Sequence, residues 1–253
     1  MEPSNPFILS DPQSALAGTP GEGRAVAAGQ GWAWIVDGFN LFKRYPGLWI
    51  GIGILLFVIL IVLAIIPVLG MLATWLIMPV FTGGLMLGCQ SIQRDGPLEV
   101  AHLFAGFKSQ TRSLLIVGAL GLGGMIVVMV PVLLITGGGA FFGATRGDAA
   151  GVAMVGGSFV LALLVGLALS LPLYMALWFA PALVALRGVA PVAAVKLSFM
   201  GCLRNIVPFL IYGLAMLVLG IAATIPLALG WLVLGPVLIA SVYAAYRDIY
   251  GDN

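Results

Sequence analysis

Between Gly31 and Tyr45 the polar residues Asp37, Asn40 and Arg44 recur three and four positions apart, while Ile35, Phe39 and Phe42 take the opposite side. That period is an amphipathic helix. Trp32, Trp34 and Tyr45 supply the aromatic residues favoured at headgroup depth, so the helix is expected to lie flat at a membrane interface. An apolar run, Leu48–Pro67, follows at once, and five more come after it: Gly70–Gln90, Ser113–Thr136, Gly156–Leu186, Ile206–Pro226 and Leu229–Tyr246. Each approaches or exceeds the ~20 residues that cross ~30 Å of hydrocarbon. The fourth is ambiguous, because Val152 to Leu186 carries no charge and is interrupted by Pro172 and Pro181. It reads either as one long kinked or tilted helix or as a span preceded by an external or re-entrant piece.

The lead-in pattern recurs without gaps. FNLFKRYPGLWIGIG (Phe39–Gly53) aligns with FAGFKSQTRSLLIVG (Phe104–Gly118) and FMGCLRNIVPFLIYG (Phe199–Gly213). Phe39, Phe104 and Phe199 coincide, as do Gly53, Gly118 and Gly213; Lys43 matches Lys108 and Arg44 matches Arg204. Each outgoing span ends near a proline (Pro67, Pro131, Pro226), and each return carries a Trp shortly before a Pro: Trp75 and Pro79, Trp178 and Pro181, Trp231 and Pro236. The expected fold is therefore an all-α polytopic membrane protein with six transmembrane helices in three parallel hairpin repeats. Each repeat is led by an amphipathic interfacial helix, with units near 31–96, 97–187 and 188–250. Copies that enter from the same side are related by an axis along the membrane normal.

Composition agrees, since 62% hydrophobic and 8% charged residues fall far from the roughly 25% charged of soluble domains. Ten of the eleven Lys and Arg lie beside one end of the spans; Arg146, in the loop Phe141–Gly151, is the exception. By the positive-inside rule both termini are expected in the cytoplasm of a bacterial inner membrane. Met1–Gln30, with four prolines and no apolar run, reads as a disordered cytoplasmic tail, so the first span is expected to act as its own insertion signal.

Candidate chemistry is sparse. The span interiors hold no Asp, Glu, Lys, Arg or His, which lowers the standing of ion-coupled transport. His102 is the sole histidine, so neither a metal site nor a nucleophile and base pair can be assembled, and no cofactor is expected. Gly137–Gly139 lacks the Lys and Ser/Thr of a phosphate-binding loop and reads as a flexible exit from the third span. Cys89 and Cys202 read as buried free thiols. The remaining candidates sit on the lead-in segments. Asp37 and His102 occupy equivalent repeat positions, and Glu99 precedes His102 by one turn. Together with Arg44 and Arg204 they are weak candidates for a cytoplasmic charged cluster that binds a lipid headgroup or an anionic partner, against the plainer reading of solvated faces and helix-end salt bridges.

Three hairpins, each led by a Phe- and Lys/Arg-bearing helix, resemble a group of bacterial inner-membrane proteins of unknown function related to the membrane domain of glycerophosphoryl diester phosphodiesterase-like proteins. The resemblance covers about 31–250 and implies a fold and a location, without the soluble catalytic domain. The expectation is a non-enzymatic accessory, structural or lipid-binding protein whose partners are membrane lipids or another membrane protein, with no role for nucleic acid. The alternative is a small-solute or lipid transporter with a cavity between the hairpins.

Overall fold

A computed structural model of the chain describes residue 21 and residues 23–251. Every regular element among them is helical. In chain order these are α1 (Gln30–Arg44), α2 (Pro46–Ala64), α3 (Leu69–Gln93), a short 3-10 helix (Val100–Phe104), α4 (Gly106–Ser109), α5 (Thr111–Arg146), α6 (Ala149–Trp178), α7 (Ala180–Arg187), α8 (Pro191–Arg204), α9 (Ile206–Thr224) and α10 (Trp231–Tyr250). Six helices, with α6 and α7 taken as one, are long and apolar enough to cross a membrane.

The largest departures from the sequence reading lie in α5 and α6. Gly137–Gly139 is not a flexible exit; it lies inside α5, which runs on to Arg146. α6 is one continuous helix from Ala149, so the expected loop Phe141–Gly151 shrinks to a turn at Gly147 and Asp148. Gly147 takes the left-handed conformation that ends α5, and the Asp148 carboxylate accepts the Gly151 N–H at 2.8 Å to start α6. A methyl on Gly137 or Gly138 would meet nothing within 4 Å, and it is from Gly139 onward that the partner helix comes close. A methyl on Gly143 would lie 2.6 Å from Gly151 O, and one on Gly151 would press still closer on Gly143 O. Small residues thus let the two backbones touch, the usual basis of helix association in lipid.

The lead-in segments pack away from the hairpins that follow them. α1 lies on α10 and α9, the 3-10 helix and α4 on α3 and α2, and α8 on α6, α7 and α5. α3 also meets α5, and α10 meets α2. The core is filled by α3, α7 and the second half of α10, whereas α2 buries only Trp49 and Ile52 and α6 only Gly151 and Ala162. At the α6 end, Trp178 meets α9 edge-on, with ring centroids 5.9 Å from Phe209 and 6.1 Å from Tyr212.

Contacts between lead-ins and returning helices cluster beside the prolines. Gly38 of α1 sits where a methyl would be 2.6 Å from Ser241 N and 2.8 Å from Val237 O, next to Pro236. Gly106 abuts the Val80 carbonyl, next to Pro79. On α8, fully buried Ser198 enters the break between α6 and α7: its hydroxyl accepts the Phe179 N–H at 2.9 Å and donates to Met175 O at 2.7 Å. An inserted side chain of this kind, two residues before Pro181, accounts for the kink. The aligned glycines are not equivalent in packing. A methyl on Gly118 would lie 2.7 Å from Leu76 O and 2.8 Å from Trp75 O, while one on Gly53 or Gly213 meets nothing within 4 Å.

Two outcomes follow. Ser198→Ala strands a buried N–H and is expected to cost about 1–3 kcal/mol, read as a lowered unfolding midpoint of the protein in detergent. Gly118→Ala is expected to destabilise by about 1–3 kcal/mol through overpacking, whereas Gly213→Ala is neutral or stabilising by up to about 1 kcal/mol; equal midpoints for the two variants would contradict the packing described.

Candidate functional site

The polar residues of the lead-ins gather at the ends of the helices that carry the Lys and Arg. Around α1, three arcs can be told apart. Gly31, Trp34, Ile35, Gly38, Leu41 and Phe42 are buried against the protein. Trp32, Val36 and Phe39 form an exposed apolar stripe, 53%, 41% and 42% accessible, and the Lys43 ammonium lies over the Phe39 ring, 5.1 Å from its centroid. Asp37, Asn40 and Arg44 occupy the third arc and line a groove with the end of α10.

Two adjoining cavities make up this groove. One, of about 200 Å³, is lined by Asp37, Asn40, Arg44, Gln93, Tyr243 and Arg247. The other, of about 380 Å³, is lined by Arg24, Gln30, Trp34, Asp37, Arg247 and Asp248. Asp37 and Arg247 border both, with Oδ2 and Nη2 3.8 Å apart. Arg44 closes one end: its Nη1 donates to Ile92 O at 2.8 Å and to Asp95 Oδ1 at 2.9 Å. The geometry at Asp95 is specific. Gly96 N–H bonds to Ser91 O and Asp95 N–H to Ile92 O, a Schellman ending of α3 in which Asp95 takes the left-handed conformation (φ +58°) usually left to glycine. The carboxylate that this position brings is the one Arg44 uses. At the other end Asp248 accepts from Arg24 Nη2 at 2.9 Å and from Trp34 Nε1 at 3.1 Å. These pairs are largely open to water, so each contributes at most about 1 kcal/mol.

The five candidates of the sequence divide among three places. Asp37 and Arg44 share the groove. Glu99 and His102 do not line it; they cap the 3-10 helix, the Glu99 N–H donating to His102 Nδ1 at 3.0 Å while the Glu99 carboxylate accepts the His102 N–H. Arg204 binds the Gly23 carbonyl at 2.9 Å. The expected tail over Met1–Gln30 falls mostly outside the described residues, but its last part is held in place. Buried Asn205 accepts the Val26 N–H at 2.8 Å and donates to Arg24 O at 3.0 Å, and Arg24 N–H donates to Ile249 O at 2.9 Å. That clamp is what delivers Arg24 to Asp248. The sequence reading missed Asn205, Asp248 and the groove role of Arg247. A lone Asn directly ahead of an apolar run was a usable signal; the adjacent Arg247 and Asp248 read only as topology.

Among the described residues no three His, Cys, Asp or Glu side chains gather as a metal site requires. Cys202, on α8, is buried against Met175 O, and burial pushes its thiol up to about 12. Because the thiolate is the nucleophile, the group stays protonated and inert at pH 8. Maleimide is therefore expected to leave Cys202 unmodified in the folded protein at pH 8 and to label it once the chain is unfolded, as mass spectrometry would show; rapid native labelling would contradict the burial.

No family model matches the chain, and no solved structure matches it. It is similar to a Burkholderia thailandensis protein named "Probable inner membrane protein", with 28% identity over 250 residues, covering 89% of this chain and 93% of the relative. The resemblance to the phosphodiesterase-related membrane domain gains no support from these comparisons. Six apolar helices and this relative fit a multi-pass membrane protein.

Proposed function

We propose that this is a non-catalytic inner-membrane protein that works by engaging lipid at the cytoplasmic leaflet. It is built as a ring of three same-sided hairpins with both termini in the cytoplasm. The order of contacts supports the ring: each lead-in rests on the hairpin of the neighbouring unit, α1 on the third, the 3-10 helix with α4 on the first, and α8 on the second. Head-to-tail contacts of this kind close on themselves when the rotation allows. Exposed apolar stripes support an interfacial position for the lead-ins: Trp32, Val36 and Phe39 on the first, Val100, Phe104 and Phe107 on the second, Val192, Met200 and Leu203 on the third. Ten of eleven basic residues on one side support the orientation, and the relative's name supports the inner membrane.

The observation that carries the reading over transport is the packed centre. Val80, Leu85, Met86, Cys89, Leu183, Val184 and Ala240 are all at most 2% accessible, and the two polar cavities of the groove lie at one end. Thiol accessibility tests it. In inside-out vesicles a membrane-impermeant thiol reagent is expected to modify an Asn40→Cys variant and to spare native Cys89. Modification of Cys89 would show that the packing beneath the groove is open to water and sink the proposal, and modification of Asn40→Cys only in right-side-out vesicles would reverse the orientation.

A further inference from the structure

We infer that the groove between α1 and the end of α10 binds the headgroup of an amine-bearing phospholipid, its phosphodiester on Arg247 and Arg44 and its ammonium on Asp37. This rests on the cytoplasmic, interfacial placement of α1 proposed above and names the ligand class for that placement. Three guanidinium groups, Arg24, Arg44 and Arg247, face one groove, and the planar fork of arginine matches a phosphate with paired hydrogen bonds. They are balanced by Asp37 and Asp248 on the groove and Asp95 at its edge. A purely anionic ligand would therefore compete with carboxylates already in place, whereas a zwitterion brings a partner for each sign.

The three ion pairs differ in a way that locates the ligand. Arg24 with Asp248 and Arg44 with Asp95 are closed at 2.9 Å. Asp37 with Arg247 stands at 3.8 Å, beyond hydrogen-bond reach, and both residues border both cavities. A headgroup seated there brings charge-assisted hydrogen bonds to both Asp37 and Arg247. A primary ammonium can donate to Asp37; a quaternary one has no N–H to give. Depth is set by the adjacent arc of the same helix, where Trp32, Val36 and Phe39 are exposed and Lys43 snorkels over Phe39, so the polar arc lies level with the phosphates.

The test uses the full-length protein in lipid-depleted detergent, its unfolding midpoint followed during titration with phosphatidylethanolamine, phosphatidylcholine, phosphatidylglycerol and water-soluble glycerophosphoethanolamine. The ethanolamine lipid is expected to bind about tenfold more tightly than the other two lipids and to raise the midpoint furthest. Asp37→Asn, a change at a half-exposed residue, is expected to erase that preference while the unliganded midpoint stays near wild type; Arg247→Lys is expected to weaken all three lipids. Equal response to the three lipids, or a preference that survives Asp37→Asn, overturns the site. A full response to glycerophosphoethanolamine overturns the membrane source in favour of a free phosphodiester. Failure of the lipid arms while Asn40→Cys is still modified from the cytoplasmic side removes the site and leaves the fold and location standing.

Discussion

Hydrocarbon offers no partner to a backbone group that leaves its helix, and this chain places prolines inside its returning helices at Pro79, Pro172 and Pro236, with Pro181 just past the break at Phe179. At the Phe179 break the constraint is met by a side chain from another segment, and at Pro79 and Pro236 another backbone packs close by. Ser198 supplies both a donor and an acceptor to the break. Gly118 brings α5 onto Trp75 O, the carbonyl that Pro79, lacking an N–H, leaves without its helical bond. Gly38 and Gly106 place lead-in backbones beside Val237 and Val80. Close interhelical contacts thus gather beside Pro79 and Pro236, and at the Phe179 break the docked side chain also supplies hydrogen bonds.

At the basic end a different set of orphan groups needs partners, the last carbonyls of α3 and α10. Arginines meet them. Arg44 takes Ile92 O at the end of α3, while Arg187 takes the Tyr250 and Gly251 carbonyls at the end of α10 and stacks over Tyr246. A cation at a helix C-terminus also complements the dipole. The concentration of Lys and Arg on this side thus has a structural cause beside its topological one. Carboxylates that neutralise the arginines, Asp37, Asp95 and Asp248, are what turn a cationic rim into a groove of mixed sign.

Much of this was legible in the chain because apolar length and lead-in period are local properties. Six runs gave six helices, and Asp37 and Arg44 fell on one arc because i, i+3 and i+7 leave no other choice. What escaped depended on partners. Gly137–Gly139 is a poor helix former read alone, yet it lies inside α5, whose contact with α6 begins at Gly139 beside Ser158 and continues at Gly143. Glu99 and His102 carried the right chemistry for a cluster, yet three residues of separation let them satisfy each other. Asn205 drew no notice, because its worth lies in the backbone of Arg24 and Val26, some 180 positions earlier.

The unequal hairpins raise a problem of length whose solution is contained in the charge pattern. Nineteen residues in α2 and in α9 span ~28 Å at ~1.5 Å per residue, close to the hydrocarbon thickness. Thirty-six in α5 span ~54 Å, which even at a tilt of ~40° projects ~41 Å along the normal. That exceeds ~30 Å of hydrocarbon but matches a bilayer counted with its headgroups, ~40–45 Å. The point of α5 and α6 that must leave hydrocarbon is their turn, and the turn is where Arg146 and Asp148 stand, the charged residues between Arg112 and Arg187. Phe141, Phe142 and Val152, exposed just before and after it, then fall at the boundary where apolar and aromatic side chains are stable. α6 itself packs along α5 and on α8, and reaches α9 through Trp178 at its end.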